Sequence, residues 1–314
     1  MNLKQIYKNY NTQEKCLRLL EKLRWGKTVI CPYCGSDNIY DYKNAEHQHK
    51  CYSCNKSFSV LVGTIFQNTK LPLPDWFLIA SLILHAKSGM SASELSRHLE
   101  LPLKTTWLTS MKLRAAMIDR KTQLHGILEI DESYFASSHK LAKGTSKSKP
   151  ILSKVLQKRG RGTTKVSVVG ITEKGGGVRT KIIEKLTTRN LIAMLMHYAK
   201  TEDSILVSDG FRSYGRMNEV IEHIQVRHKD KKKGGANVNQ IEGYWGYVKN
   251  GLRGSFKSIS RRYLPFYLVE FEYKYNHRNQ AEGVMQDFLK SCLTDKNCMV
   301  NYKPIKDSKE VVYG

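Results

Sequence analysis

The spacing of apolar residues changes character several times along the chain. Residues 1–27 set Leu17, Leu19, Leu20 and Leu23 among Lys, Arg and Glu, a helical pattern that runs out at Trp25. From Cys31 to Phe58 the sequence is polar and turn-rich, as expected of a small module lacking its own core. Between Pro74 and Arg120 helical spacing returns. Trp76–Lys87 reads as one helix with Gly89 as its stop, and Ser91-Ala-Ser-Glu94 as a capping box for the next. That second helix ends by Leu101-Pro102, and a third runs from about Lys104 to Ile118. Near Ile127 the period becomes that of strands: ILEIDESYF, TKVSVVGITE, GVRTKIIEKL and SILVSDGF carry the Val/Ile enrichment of a sheet. A helix, TTRNLIAMLMHYAK, lies between the last two. After HIQVRHK the chain returns to helix through Glu242, and again from Tyr263 to Asn276, before a loose tail, NYKPIKDSKEVVYG.

These shifts divide the chain into an N-terminal helical segment (1–27), a cysteine module (28–68), a helical region (69–124), a mixed α/β domain (125–295) and a tail (296–314). A length of 314 residues suits two or three domains. Hydrophobic residues at 40% and charged residues at 25% describe an ordinary globular protein. The charge balance does not: 52 Lys and Arg face 28 Asp and Glu, a net +24. Solubility needs far less, so a polyanionic partner is expected, DNA or RNA rather than a membrane surface. The most apolar stretch, Trp76 to Ala86, is too short to span a bilayer, and the first residues lack the apolar core of a secretion signal. Residues Lys140 to Lys165 hold nine Lys or Arg and no acid; Lys158, Arg159, Arg161 and Lys165 are its candidates for phosphate contact.

Seven cysteines include two CxxC pairs, Cys31/Cys34 and Cys51/Cys54, with sixteen residues between the pairs. An odd count suits a reducing cytosol with a metal site better than a disulfide framework. Two thiolate knuckles complete a closed tetrahedral zinc site that stabilises a fold and does no chemistry. His47 and His49, in the connecting segment, are expected to be solvated strand residues, since four sulfurs already fill the site. The three helices that follow have the spacing of a helix-turn-helix. Thr105, Thr106, Trp107, Ser110 and Lys112 would lie near the exposed start of its recognition helix. A plain three-helix bundle has the same spacing.

Asp131 and Asp209 each follow an apolar strand run, which would place them near the carboxyl ends of strands buried on both faces. Glu242 opens a helical pattern in which Ile241, Trp245, Val248 and Leu252 form the packing stripe. Lys249, two turns on, shares the face of Glu242. Carboxylates so placed can hold divalent cations through hard oxygen ligands. Singly, each acid reads as an ordinary surface or capping residue, as Glu129, Glu132 and Asp230 do; together they suggest phosphodiester chemistry.

The order Asp131, Asp209, Glu242, with Lys249 seven residues on, resembles the DDE set of RNase H-like transposases. More narrowly, EIDESYF, KRGRGTTKVSVVGITE, SDGFRSY, NVNQIEGYWGYVKNGLRGSF and VEFEYKYNHRN resemble insertion-sequence transposases of the ISXO-like group, over nearly all of residues 14–280. The resemblance implies a zinc ribbon and a helical, helix-turn-helix-like region ahead of an RNase H-like mixed sheet flanked by helices. It implies Asp131, Asp209 and Glu242 as ligands of Mg²⁺ or Mn²⁺, Lys249 and Arg253 as DNA contacts, and two-metal cleavage and strand transfer. The partners implied are element ends and target DNA, bound by a homo-oligomer, with no organic cofactor. The Ser-rich SSHKLAKGTSKSK departs from the shorter glycine-rich stretch expected before KRGRG. Two other readings stand beside it: a DNA-binding regulator with an inactive sheet domain, and a nuclease of the same fold without strand transfer.

Overall fold

The computed structural model describes residues 2–42, 47–119, 122–135, 165–226, 238–257, 259–280 and 283–294. The chain forms two compact units, one of residues 1–118 and 277–314, the other of residues 119–276. Among the described residues no helix is long and apolar enough to cross a membrane.

The first unit joins helices to a small sheet. Thr12, whose hydroxyl accepts from the Lys15 N–H, caps α2 (Gln13–Trp25), which follows the short α1 (Leu3–Asn9). Next come strands β1 (Ile39–Asp41), β2 (His49–Cys51) and β3 (Ser57–Phe58), antiparallel in that order. Helix α3 (Leu73–His85) begins beside Pro72 and Pro74, where a missing N–H costs nothing. It buries Trp76, Phe77, Ile79, Ala80 and Ile83 as the central rod of the unit. Ser91 caps α4 (Ala92–Leu99) through the Glu94 N–H, as its sequence indicates, and α5 (Leu103–Ala116) follows. The sequence assigns residues up to 295 to the sheet domain, but the last described helix, α9 (Val284–Thr294), packs on α2 and α3 of this first unit. Its buried Met285, Phe288, Leu289 and Cys292 supply the apolar face that the N-terminal helices need.

The second unit is a five-stranded mixed sheet, order β6-β5-β4-β7-β8. The long β4 (Leu124–Phe135) lies at its centre, antiparallel to β5 (Val166–Glu173) and parallel to β7 (Ala199–Asp209). Strand β6 (Val178–Ile182) forms one edge and β8 (Glu222–Val226) the other. Strand β8 is mostly exposed, Ile224 included, and buries only Val226. One face of the sheet is covered by α6 (Thr188–Tyr198) and the turns after β7, over Leu128, Ile130, Val169, Ile171 and Leu206. The opposite face is covered by α7 (Asn239–Gly251) and α8 (Leu264–Asn276), over Phe135, Val166, Val168 and Val207. Apolar residues on both faces of β4, β5 and β7 make these the buried strands of the layer, matching the expected fold class.

Two polar anchors hold α8 to edge strand β6. Asn276 accepts from the Val178 N–H at 2.7 Å and donates to its carbonyl at 3.1 Å, so the helix end completes the edge ladder. Arg179, 1% exposed, pairs with Glu272 at 2.9 Å and Asp119 at 2.8 Å, while Glu272 also accepts from the Thr180 N–H and hydroxyl. Removing one partner of a buried pair leaves an uncompensated charge. Arg179→Ala should therefore cost about 3–5 kcal/mol in chemical denaturation. Glu272→Gln, which keeps an acceptor for Thr180, should cost less.

Candidate active site and zinc module

The four sulfurs of Cys31, Cys34, Cys51 and Cys54 lie within 4.8 Å of one another, with Cys31 and Cys54 at 3.6 Å and Cys34 and Cys51 at 3.5 Å. Gly35, at φ +77°, turns the first knuckle so that its N–H meets the Cys31 carbonyl at 2.9 Å. Burial works against a thiolate at Cys51, but N–H groups of Cys54 and Ser53 and the neighbouring thiols outweigh it and bring the group down to about 6. A soft tetrahedral donor set with one sulfur already poised as thiolate fits zinc.

The histidines beside it are not solvated. His49 is 6% exposed; its ring lies edge-on to Trp25 and bridges Asp41 at 2.5 Å and Glu21 at 3.2 Å. His47 reaches the other Glu21 oxygen at 2.8 Å. Burial opposes a charged His49, yet its two carboxylate partners raise its pKa, so the ring ties the ribbon to α2 by charge. The helical region also differs from expectation. Thr106 and Ser110 are fully buried, and their hydroxyls donate to the carbonyls of Ala92 and Thr106. Lys112 reaches the Ile65 carbonyl at 3.5 Å and lies 5.7 Å from the Trp76 ring centroid, its pKa lowered by burial. Thr106 and Ser110 are spent inside the bundle, while half-buried Thr105, Trp107 and Lys112 retain a solvent-facing part.

In the sheet unit, Asp131 sits inside β4, four residues short of its end. It is nevertheless where parallel pairing stops. The last β4–β7 pair is Ile130 with Ser208, and Asp131 and Asp209 each lie one residue beyond it. Their face is that of Val207, under α7, whose first turn carries Glu242. Opposite Asp131 on β5 is Gly170. A Cβ there would come within 2.7 Å of the Trp245 ring and 2.9 Å of Ile241, so only glycine lets α7 lie this close. Burial, then the charges of Glu132, Asp209 and Glu242, push the Asp131 carboxyl up to about 7, against a hydrogen bond from the Glu132 N–H. Among the described residues only the four thiols have three or more donor atoms all within 4.8 Å, so the acids form the looser set. Hard oxygens under mutual repulsion fit divalent cations, and two-metal centres spread carboxylates over cations about 3.5–4 Å apart.

Lys249 also belongs here. Burial lowers its pKa, Asp131 raises it, and Arg253 and Lys165 lower it further, so Lys249 stands between an acid and two other predicted cations. Lys158, Arg159 and Arg161 lie outside the described residues. Ser133 is buried and Tyr134 half-buried in the continuing strand.

Two residues passed over in the sequence stand next to the acids. Glu129, 4% exposed, accepts from the Ile241 N–H at 2.9 Å, and Glu132 accepts from the Tyr214 hydroxyl at 3.0 Å. The signal for Glu129 is present in the run ILEID, where a carboxylate occupies an interior position of a strand buried on both faces.

Two family models match this chain. The family model described as ISXO2-like transposase domain matches residues 123–276, and that of the transposase zinc-ribbon domain matches residues 11–57. A curated relative, an uncharacterized protein in transposable element ISH50 of Halobacterium salinarum, is 26% identical over 296 residues, covering 91% of this chain and 99% of its own. Among solved structures, a Mos1 transposase paired-end complex aligns at TM-score 0.30 and 11% identity, covering 70% of this chain and 78% of that one. A pre-cleavage Mos1 transpososome aligns at TM-score 0.28 and 11% identity, covering 94% and 96%.

Two outcomes are expected. Because the Asp131 pKa is raised in the folded protein, its contribution to stability is full below about pH 4 and is lost as pH rises through about 7. Asp131→Asn, fixed neutral, should therefore gain Tm over the parent between about pH 5 and about pH 8 without added divalent cations. A gap that is flat or shrinks in scanning calorimetry refutes this. Chelation should release one zinc per chain and unfold residues 31–58, whose strands of two or three residues cannot persist alone. Amide exchange across that segment, with and without chelator, reads it.

Proposed function

Since the chain belongs to the ISXO2-like transposases, with a transposase zinc ribbon ahead of its sheet domain, we propose that it cuts DNA at element ends and joins them to target DNA. What supports this reading is that Asp131 feels the charges of Asp209 and Glu242, and that Lys249 feels Asp131 together with Arg253 and Lys165. Asp131, Asp209 and Glu242 would hold Mg²⁺ or Mn²⁺. Divalent cations held there supply Lewis acidity to the scissile phosphate and lower the pKa of the attacking oxygen.

The chain's own residues do the rest. Lys249, Arg253 and Lys165 neutralise phosphate charge at the edge of the acid cluster, which would otherwise repel the substrate. Half-buried Lys249, on the same helix as Glu242, brings a cation and a carboxylate to the DNA as one rigid unit. The attacking group is water for cleavage and a DNA 3′-hydroxyl for joining, so no covalent link between protein and DNA forms. Element ends must be brought together for joining, which calls for a homo-oligomer on DNA.

The test is a cleavage and strand-transfer assay on DNA carrying the ends that flank the gene, with Mg²⁺. Asp131→Asn and Glu242→Gln should abolish product while DNA binding persists. Lys249→Ala should weaken binding and reduce the salt slope by about one. Undiminished cleavage by Asp131→Asn would sink the assignment, and cleavage without joining would favour the nuclease reading.

A further inference from the structure

Asp131 has an acidic neighbour on each face of its strand, and each reaches the element that carries another member of the trio. Glu129 lies two residues before Asp131, on the same face. Helix α7 starts at Asn239, and its N-cap residue, Val238, supplies no side-chain acceptor for the first N–H groups. Glu129 takes that place from outside the helix: its Oε2 accepts from the Ile241 N–H at 2.9 Å, and the Gln240 N–H also bonds to its carboxylate. A buried carboxylate at a helix N-terminus satisfies orphan donors and complements the helix dipole. The residue after Ile241 is Glu242. Gln240 adds a second tie, donating to the Glu173 carbonyl at 2.6 Å and accepting from the Gly175 N–H at 2.9 Å.

Glu132 works on the other face. Its Oε2 accepts from the hydroxyl of Tyr214, a fully buried side chain. Tyr214 in turn closes the turn that begins at Asp209: its N–H donates to the Phe211 carbonyl at 3.0 Å, and the Phe211 N–H donates to Asp209 Oδ1 at 3.0 Å. One strand thus presents Asp131 directly and reaches Glu242 and Asp209 through a single carboxylate each.

We propose that Glu129 and Glu132 are positioning residues that set the spacing of Asp131, Asp209 and Glu242, and are not themselves cation ligands. The proposal rests on the reading of the trio as a cation site. Glu129 is buried and its carboxylate accepts from the Ile241 and Gln240 N–H groups, so it faces the first turn of α7.

The experiment is Mn²⁺ titration of the zinc-loaded full chain by calorimetry, with DNA cleavage as second readout. Asp131→Asn marks the level of a lost ligand. Glu129→Ala should weaken Mn²⁺ binding about 10- to 100-fold, as loss of a group that orients ligands does. Glu129→Gln, which keeps a carbonyl acceptor for the Ile241 N–H, should recover most of that loss. Tyr214→Phe, lacking one hydroxyl, should fall near the lower end of the same range. If Glu129→Gln binds as poorly as Asp131→Asn, Glu129 is a ligand and the proposal is overturned. It is equally overturned if Glu129→Gln and Tyr214→Phe are folded and Glu129→Ala or Tyr214→Phe binds Mn²⁺ as the parent does. Should Glu129→Ala fail to fold, the Gln and Phe variants decide it by the same criteria. Parental Mn²⁺ binding by Asp131→Asn would instead overturn the underlying reading of the trio, whatever the glutamates do.

Discussion

The close approach of helix α7 to the sheet is the constraint on which the site depends. Gly170 permits it, since any side chain there would collide with Ile241 and Trp245. Burial of Ile241, Tyr244, Trp245 and Val248 drives it through the hydrophobic effect. Glu129 directs it by capping the helix. An apolar stripe alone tolerates sliding and rotation, because dispersion and burial are not directional. Hydrogen bonds to helix N–H groups are directional. Together they fix where Glu242 meets Asp131, and Lys249, two turns along, follows by helix geometry.

That docking works against electrostatic tension. A basic protein gathers acids at one spot on its sheet, and burial with mutual repulsion carries Asp131 up to about 7. Such a cluster is destabilising by itself and complementary to cations, a trade-off common at catalytic centres. Lys249 feels the charge of Asp131 on one side and of Arg253 and Lys165 on the other, so it links the acids to a cationic neighbourhood.

The first unit meets a different difficulty. Its three-stranded sheet is too small to bury a core, so thiols and a histidine bridge do that work. His49, held between Asp41 and Glu21, fastens the ribbon to α2, and Arg24 of the same helix donates to the carbonyls of Val60 and Val62. The bundle beside it spends the Thr106 and Ser110 hydroxyls internally, so polar residues on its helical pattern do not mark an exposed face.

Local chemistry determined much of this protein from sequence. Strand runs before Asp131 and Asp209, the Ser91 cap, the CxxC spacing and the Glu242–Lys249 periodicity each express interactions between residues close in the chain. They were legible because their geometry is set within a few residues. Strand β8 shows only the brief Ile224–Val226 alternation, too short to specify a strand. Helix α9 packs with the first unit, which its sequence does not announce because an amphipathic face does not say what it will cover. In sequence His49, Glu129 and Glu132 read as ordinary polar residues, since their partners stand 28, 112 and 82 positions away. Composition and period specify which residues seek burial, and only the packed fold decides which distant donor a buried carboxylate meets.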